Sequence, residues 1–205
     1  MAQTFPTKAN LLSAKKSLEL AKTGYELMDS KRNILMREMM KLTDKAAGLE
    51  SQINSSYALA YESLIMANIN NGSVRRFAKM VPTETRVEMS EKSVMGVELP
   101  VLTCPEFKSD VHYFGFDGTG GYLDEACRRF CHARQLTLEL AEIENSICRL
   151  ADAISKTQKR SNALSNIMIP RFESTVKHIT EVLDEKERED FSRLKVTKSF
   201  TQSKR

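Results

Sequence analysis

A seven-residue repeat of apolar side chains, held without a proline from Lys8 to about Asn70, constrains this chain more than any other feature. Its register runs Leu11, Ala14, Leu18, Ala21, Tyr25, Met28, Leu35, Met39, Leu42, Ala46, Leu49, Ile53 and Ala60, with Arg32 and Ser56 in the remaining slots. Alternating steps of three and four place these residues along one stripe of a helix that winds into a left-handed coiled coil. Globular helices average about 11–12 residues, so a run of this length calls for a special architecture.

The pattern returns from about Thr119 through Ala126, Ala133, Leu136, Leu140, Ile143, Ile147, Leu150, Ile154, Leu164 and Met168. Pro170 then interrupts it. Proline has no N–H for the carbonyl of Asn166, and its ring crowds that carbonyl. Beyond it the seam resumes through Phe172, Val176, Ile179, Leu183, Phe191 and Leu194, after two successive steps of four. Such a stutter locally unwinds a supercoil. The sequence therefore predicts a kink at Pro170, with the helix continuing past it.

Two helices of about 60 and 75 residues would reach roughly 90 and 110 Å. Neither can hide its stripe alone, and the nearest partner is the other arm of the same chain. The expected fold class is mainly α: a long antiparallel coiled-coil hairpin of the N- and C-terminal helices, with a small middle region containing short β-strands. In that pairing Arg32 would face the Ser161–Asn162 region and form a polar layer that fixes register.

The middle region, Asn71 to Gly121, holds six of the eight glycines and three of the five prolines. Thr85–Ser90 and Val97–Leu102 alternate apolar and polar residues and read as two strands, with Pro100 keeping the second at an edge. Gly115–Gly121 reads as a loop leading into the next helix. The expected organisation is residues 1–70 as the N-terminal helix, 71–118 as a cap with a β-hairpin, and 119–205 as the C-terminal helix with a basic tail. Together they would make one structural domain.

Composition fits narrow helix–helix seams better than a thick core: there is no Trp, aromatics are 7%, and there are ten Met. The formal net charge of +4 is too mild to argue for nucleic acid. The charge is nonetheless arranged in blocks. Lys156, Lys159, Arg160 and Arg171 have no carboxylate among them, and the charged residues from Arg193 to Arg205 are all basic. A solvated helix face is the ordinary explanation of such blocks. No signal peptide or spanning run of about 20 apolar residues is evident, so a cytoplasmic, soluble chain with four reduced thiols is expected.

Catalytic chemistry is not signalled. Gly118-Thr-Gly-Gly121 lacks the Gly-Lys-Ser/Thr ending of a phosphate loop and is explained by a turn before a helix N-terminus. Cys127 and Cys131, with His132 beside them and Cys104 and His112 upstream, lack the spacing of a zinc knuckle or ribbon. His178 has no nearby Ser or Cys arrangement that suggests a triad. No catalytic residue, cofactor or metal site is expected. An RNA-binding hairpin using the same basic faces, or a scaffolding coiled coil, remains the alternative on residue pattern alone.

Several stretches carry a resemblance. Lys159–Thr175 (KRSNALSNIMIPRFEST) followed by Leu183–Lys198 (LDEKEREDFSRLKVTK) resembles the C-terminal arm of the D subunit of V-type ATPases and ATP synthases. Pro6–Lys16, Gly24–Glu38 and Ser93–Leu102 resemble the N-terminal arm and middle strand of that family, in the same order. Asn33 stands where the family often has Asp, Met28 where it has Leu, and the tail after Lys198 is short.

The resemblance implies a non-catalytic central rotor shaft, peripheral to the membrane on its cytoplasmic face. Its hairpin would enter the bore of the A/B hexamer, its middle region would meet the F subunit, and it would stand on the C subunit of the central stalk, with no nucleic-acid partner. It would couple rotation to ATP synthesis or hydrolysis and to proton or sodium transport. Expected bore contacts are Lys15, Lys16, Lys159, Arg160, Arg171, Arg193 and Lys195. Expected contacts with the F subunit are Val94, Val97 and Leu99, and the kink at Pro170 would make the axle eccentric.

Overall fold

A computed structural model describes residues 5–81, 87–104, 115 and 119–203, apart from the side chains of 200 and 203. Helix α1 spans Lys8–Asn71 and α2 Arg75–Ala78; strands β1 and β2 span Glu88–Val94 and Val97–Thr103. Helix α3 spans Gly121–Ala163, a π-helical turn covers Leu164–Met168, and α4 spans Ile169–Ser203. The chain is mainly α, with one small antiparallel sheet. It divides into two compact units, one made of Met1–Asn33 with Ser155–Arg205, the other of Ile34–Ile154. Each is taken by itself below.

In the first unit the start of α1 pairs antiparallel with α4 and the end of α3. Lys8 meets Glu187 at 2.9 Å and Lys22 meets Glu173 at 2.8 Å, so partner numbers fall as α1 advances. Ala21, Thr157, Ser161 and Ile179 are buried between them. A methyl placed on Gly24 would lie 3.9 Å from Leu164, so the arms approach closely where side chains are small. Thr7 starts α1: its hydroxyl accepts the Asn10 N–H at 3.2 Å, covering one of the open donors of the first turn.

The second unit repeats the arrangement with α1 and α3. The Tyr57 and Thr137 hydroxyls are 3.2 Å apart, and Tyr61 meets the edge of Phe130 at 5.3 Å. Arg129 donates to the Leu59 carbonyl at 3.1 Å. Leu35, Ala60, Ala67, Ala133 and Leu150 have no solvent exposure at all. Every heptad position read from the sequence in α1 is buried or half-buried. Alanine fills much of the seam, which is why so few aromatics suffice. Helix α1 ends at Asn71 because Gly72 turns to φ 68°, a conformation that suits glycine. Ala67, Val74, Phe77 and Leu123 then close a small apolar cluster around α2.

The seam stops short of the sequence expectation at one end. Phe191 and Leu194, read as seam residues, are each 69% exposed. The cause is the length of the first arm. Lys8 opens α1 and lies level with Glu187, so among the described residues no helix covers α4 past that point.

The helix does not end at Pro170. It widens before it: the Ile169 N–H donates to the Leu164 carbonyl, five residues back, through the π turn. A π turn takes up more chain than an α turn, and the two steps of four carry the seam across it. Met168 and Phe172 both stay half-buried across the interruption, while Pro170 itself is exposed.

Strands β1 and β2 pair from Val94 with Val97 to Glu88 with Thr103. Of the first strand expected, Thr85 and Arg86 lie outside the described residues, as do 116–118 of the expected glycine loop and His112. The two-residue turn Met95–Gly96 has φ 52° and 75°, the mirror-image turn that matches strand twist. A methionine in the left-handed region costs on the order of 1 kcal/mol. Met95→Asn is therefore expected to stabilise the chain by about 0.5–1 kcal/mol in denaturant titration; an unchanged or lower midpoint would contradict strain at this turn.

Candidate functional site

The cations expected to meet a partner all belong to the first unit and all are exposed. Lys15 and Lys16 lie on α1, Lys159 and Arg160 near the end of α3, and Arg171, Arg193 and Lys195 on α4. The structure does not gather them into one patch. Lys159 and Arg160 lie near the level of Arg32, which bonds Gln158, whereas Arg193 and Lys195 lie past the start of α1. At 1.5 Å per residue that is a strip of roughly 50 Å. Arg193 pairs with Glu189 and Asp190 on its own helix at 3.5 and 3.9 Å. The others form no ion pair among the described residues, so their charge is open to an external partner.

Val94, Val97 and Leu99 do come together. Val94 is directly opposite Val97, and Leu99 follows two residues on, so all three project from one face of the hairpin and are half-buried. Two side chains of α3 that pattern reading did not single out hold this hairpin. Glu142 accepts the Leu102 N–H at 2.8 Å, and Arg149 donates to the Glu98 carbonyl at 2.9 Å and approaches Glu91 at 3.5 Å. The only signal in the sequence is their spacing of seven, each beside a seam position.

The polar layer is built from more groups than expected. Arg32 donates to Gln158 at 2.8 Å, and Gln158 in turn donates to Asn162 at 2.7 Å. The guanidinium also meets Asp29 at 2.6 Å, with Ser161 buried alongside. The cysteines have an ordinary setting. Burial is the first cause holding the Cys127 and Cys131 thiols above the usual range, so both are neutral near pH 7. Among the described residues no three His, Cys, Asp or Glu side chains are grouped to hold a metal, and no helix is long and apolar enough to cross a membrane.

Comparison with known proteins decides the family. The model of the family described as the D subunit of ATP synthase matches residues 10–199. The chain belongs to the ATP synthase D-subunit family. The D subunit of a V-type ATP synthase from Thermotoga neapolitana is 39% identical over 93% of this chain and 94% of its own length. That of an A-type ATP synthase from Thermococcus gammatolerans is 36% identical over 97% and 95%. Another A-type D subunit, from Methanopyrus kandleri, is 37% identical over 98% and 88%.

In this member of the family the amide at Asn33 has a defined place. Its oxygen accepts from Arg32 and its nitrogen donates to Asp29, both at 3.3 Å, so Asp29 supplies the carboxylate that neutralises Arg32. A double-mutant cycle of Arg32→Ala and Gln158→Ala should give a coupling of about 1.5–3 kcal/mol, the range for a hydrogen bond to a charged group. A coupling near zero would mean that the layer is incidental to pairing.

Proposed function

We propose that this chain is the central-stalk shaft of a V/A-type ion-translocating ATP synthase, a non-catalytic component that couples rotation in the A/B hexamer to proton or sodium movement. The observation that carries this reading is the near full-length family match to a chain built on two long antiparallel arms. The first unit would enter the hexamer bore on the cytoplasmic side of the membrane. The hairpin region would meet the F subunit, and the shaft would stand on the C subunit. The cap, residues 71–118, would work with both arms as one domain.

A shaft must transmit torque without sticking at one angle. Exposed ion pairs contribute only about 0–1 kcal/mol each, and salt screens them beyond about 8 Å at physiological strength. Lys15, Lys16, Lys159, Arg160, Arg171, Arg193 and Lys195, spread along a strip, suit many weak contacts with carboxylates of the bore. Pro170 and the π turn before it would bend the shaft off its axis, so that one rotation drives the catalytic sites through different states in turn.

Reconstitution of the whole complex, from the A, B, F and C subunits with the ion-translocating membrane ring, with and without this chain, tests this. Adding the chain should restore coupled ATPase activity, and Lys159→Glu with Arg160→Glu should weaken assembly several-fold and flatten its loss with salt. Pro170→Ala should lower ion movement per ATP without preventing assembly. A complex that couples equally well without the chain would reject the reading, and unchanged behaviour of either variant would reject the corresponding detail.

A further inference from the structure

The wide turn before Pro170 and the spacing of the seam carry the same excess. One row of seam residues on the second arm runs Thr157, Leu164, Phe172 and Ile179, with spacings of seven, eight and seven. The neighbouring row runs Ser161, Met168, Val176 and Leu183, again with spacings of seven, eight and seven. All of these residues are buried or half-buried. Each row therefore holds one residue beyond a strict heptad, and the two intervals of eight overlap only between Met168 and Phe172. Of the three residues there, Ile169 is half-buried and Arg171 has an N–H to donate, whereas Pro170 is exposed and has none. Removing Pro170 alone returns both rows to sevens throughout.

The hydrogen bonds agree. The Ile169 N–H reaches back five residues to Leu164, and Pro170 has no N–H. Those two residues are the donors that an α turn and a π turn would offer the Ser165 carbonyl, so it is left without either. In a plain α turn the proline ring would crowd the Asn166 carbonyl, which disfavours that geometry by about a hundredfold. A turn opened by one residue carries the carbonyl away from the ring. A wide turn anywhere else in the arm would put Pro170 back into plain α geometry. The proline and the wide turn therefore fix each other's place.

We propose that Pro170 is a phase pin. It is the residue inserted into the repeat of the seam, and it holds the wide turn at this one place. An unpinned wide turn moves along a helix by exchanging one hydrogen-bond partner at a time. Each step turns one side chain by about 100° about the helix axis. Such steps would swing Ser161 or Ile179, both almost fully buried, out of the seam. The pin is a property of this chain alone and does not depend on the shaft reading. In the shaft proposed above, it would make twist pass along the arm instead of being absorbed by migration of the turn.

Residue-resolved amide exchange and denaturant titration of the full chain test this with two variants. Pro170→Ala keeps the inserted residue but frees the turn. Exchange at Thr157–Ser161 and Val176–Ile179 should then quicken at least about tenfold, without a lower denaturant midpoint. Deleting Pro170 removes the inserted residue and the wide turn together. The same amides should then exchange no faster than in the native chain, and the midpoint should rise. Unchanged exchange in Pro170→Ala would overturn the pin, as would faster exchange accompanied by a lower midpoint. A midpoint that stays level or falls on deletion, or faster exchange at those amides, would mean that Pro170 is not the inserted residue, and the proposal would fall.

Discussion

Everything in this molecule depends on a narrow apolar seam between two arms of one chain that run in opposite directions. A single helix with such a stripe is unstable in water, because its exposed methyl and methylene surface costs about 25 cal/mol per Å². Facing arms remove that cost over each turn. The seam is filled largely by alanine and single aliphatic side chains, with Leu35, Leu150 and Ile179 as the largest fully buried ones. Small residues bring helices close and leave little room for adjustment. The register is therefore set by few, specific groups, and the Arg32–Gln158–Asn162 chain of hydrogen bonds is one of them.

The features that interrupt the seam are as informative as the seam. A polar layer at Arg32, a π turn from Leu164 and a proline at 170 follow within a short length of the second arm's path. Each is kept within continuous helix.

The heptad positions were legible because a seam leaves a period in the sequence, and the burial of α1 follows that period residue by residue. The end of the seam was not legible. Phe191 and Leu194 keep the pattern, but whether they are covered depends on where the other arm begins, and α1 begins too late to reach them. Pro170 and the two steps of four marked an anomaly, but not the hydrogen-bond pattern that absorbs it. The strands were visible as alternation, whereas Glu142 and Arg149 were not. Their partners lie 40 and 51 positions away along the chain, and nothing local distinguishes them from solvated charges. The cations were readable as exposed, but what they face comes only through family likeness.

The most direct test of the antiparallel pairing is a distance between spin labels at positions 15 and 181, in a chain whose native cysteines are replaced. Helix axes 8–10 Å apart, with label arms added, place the two labels within about 25 Å as a single narrow population. A dominant distance beyond about 40 Å, or a short distance that vanishes when labelled chains are diluted with unlabelled ones, would contradict pairing within one chain.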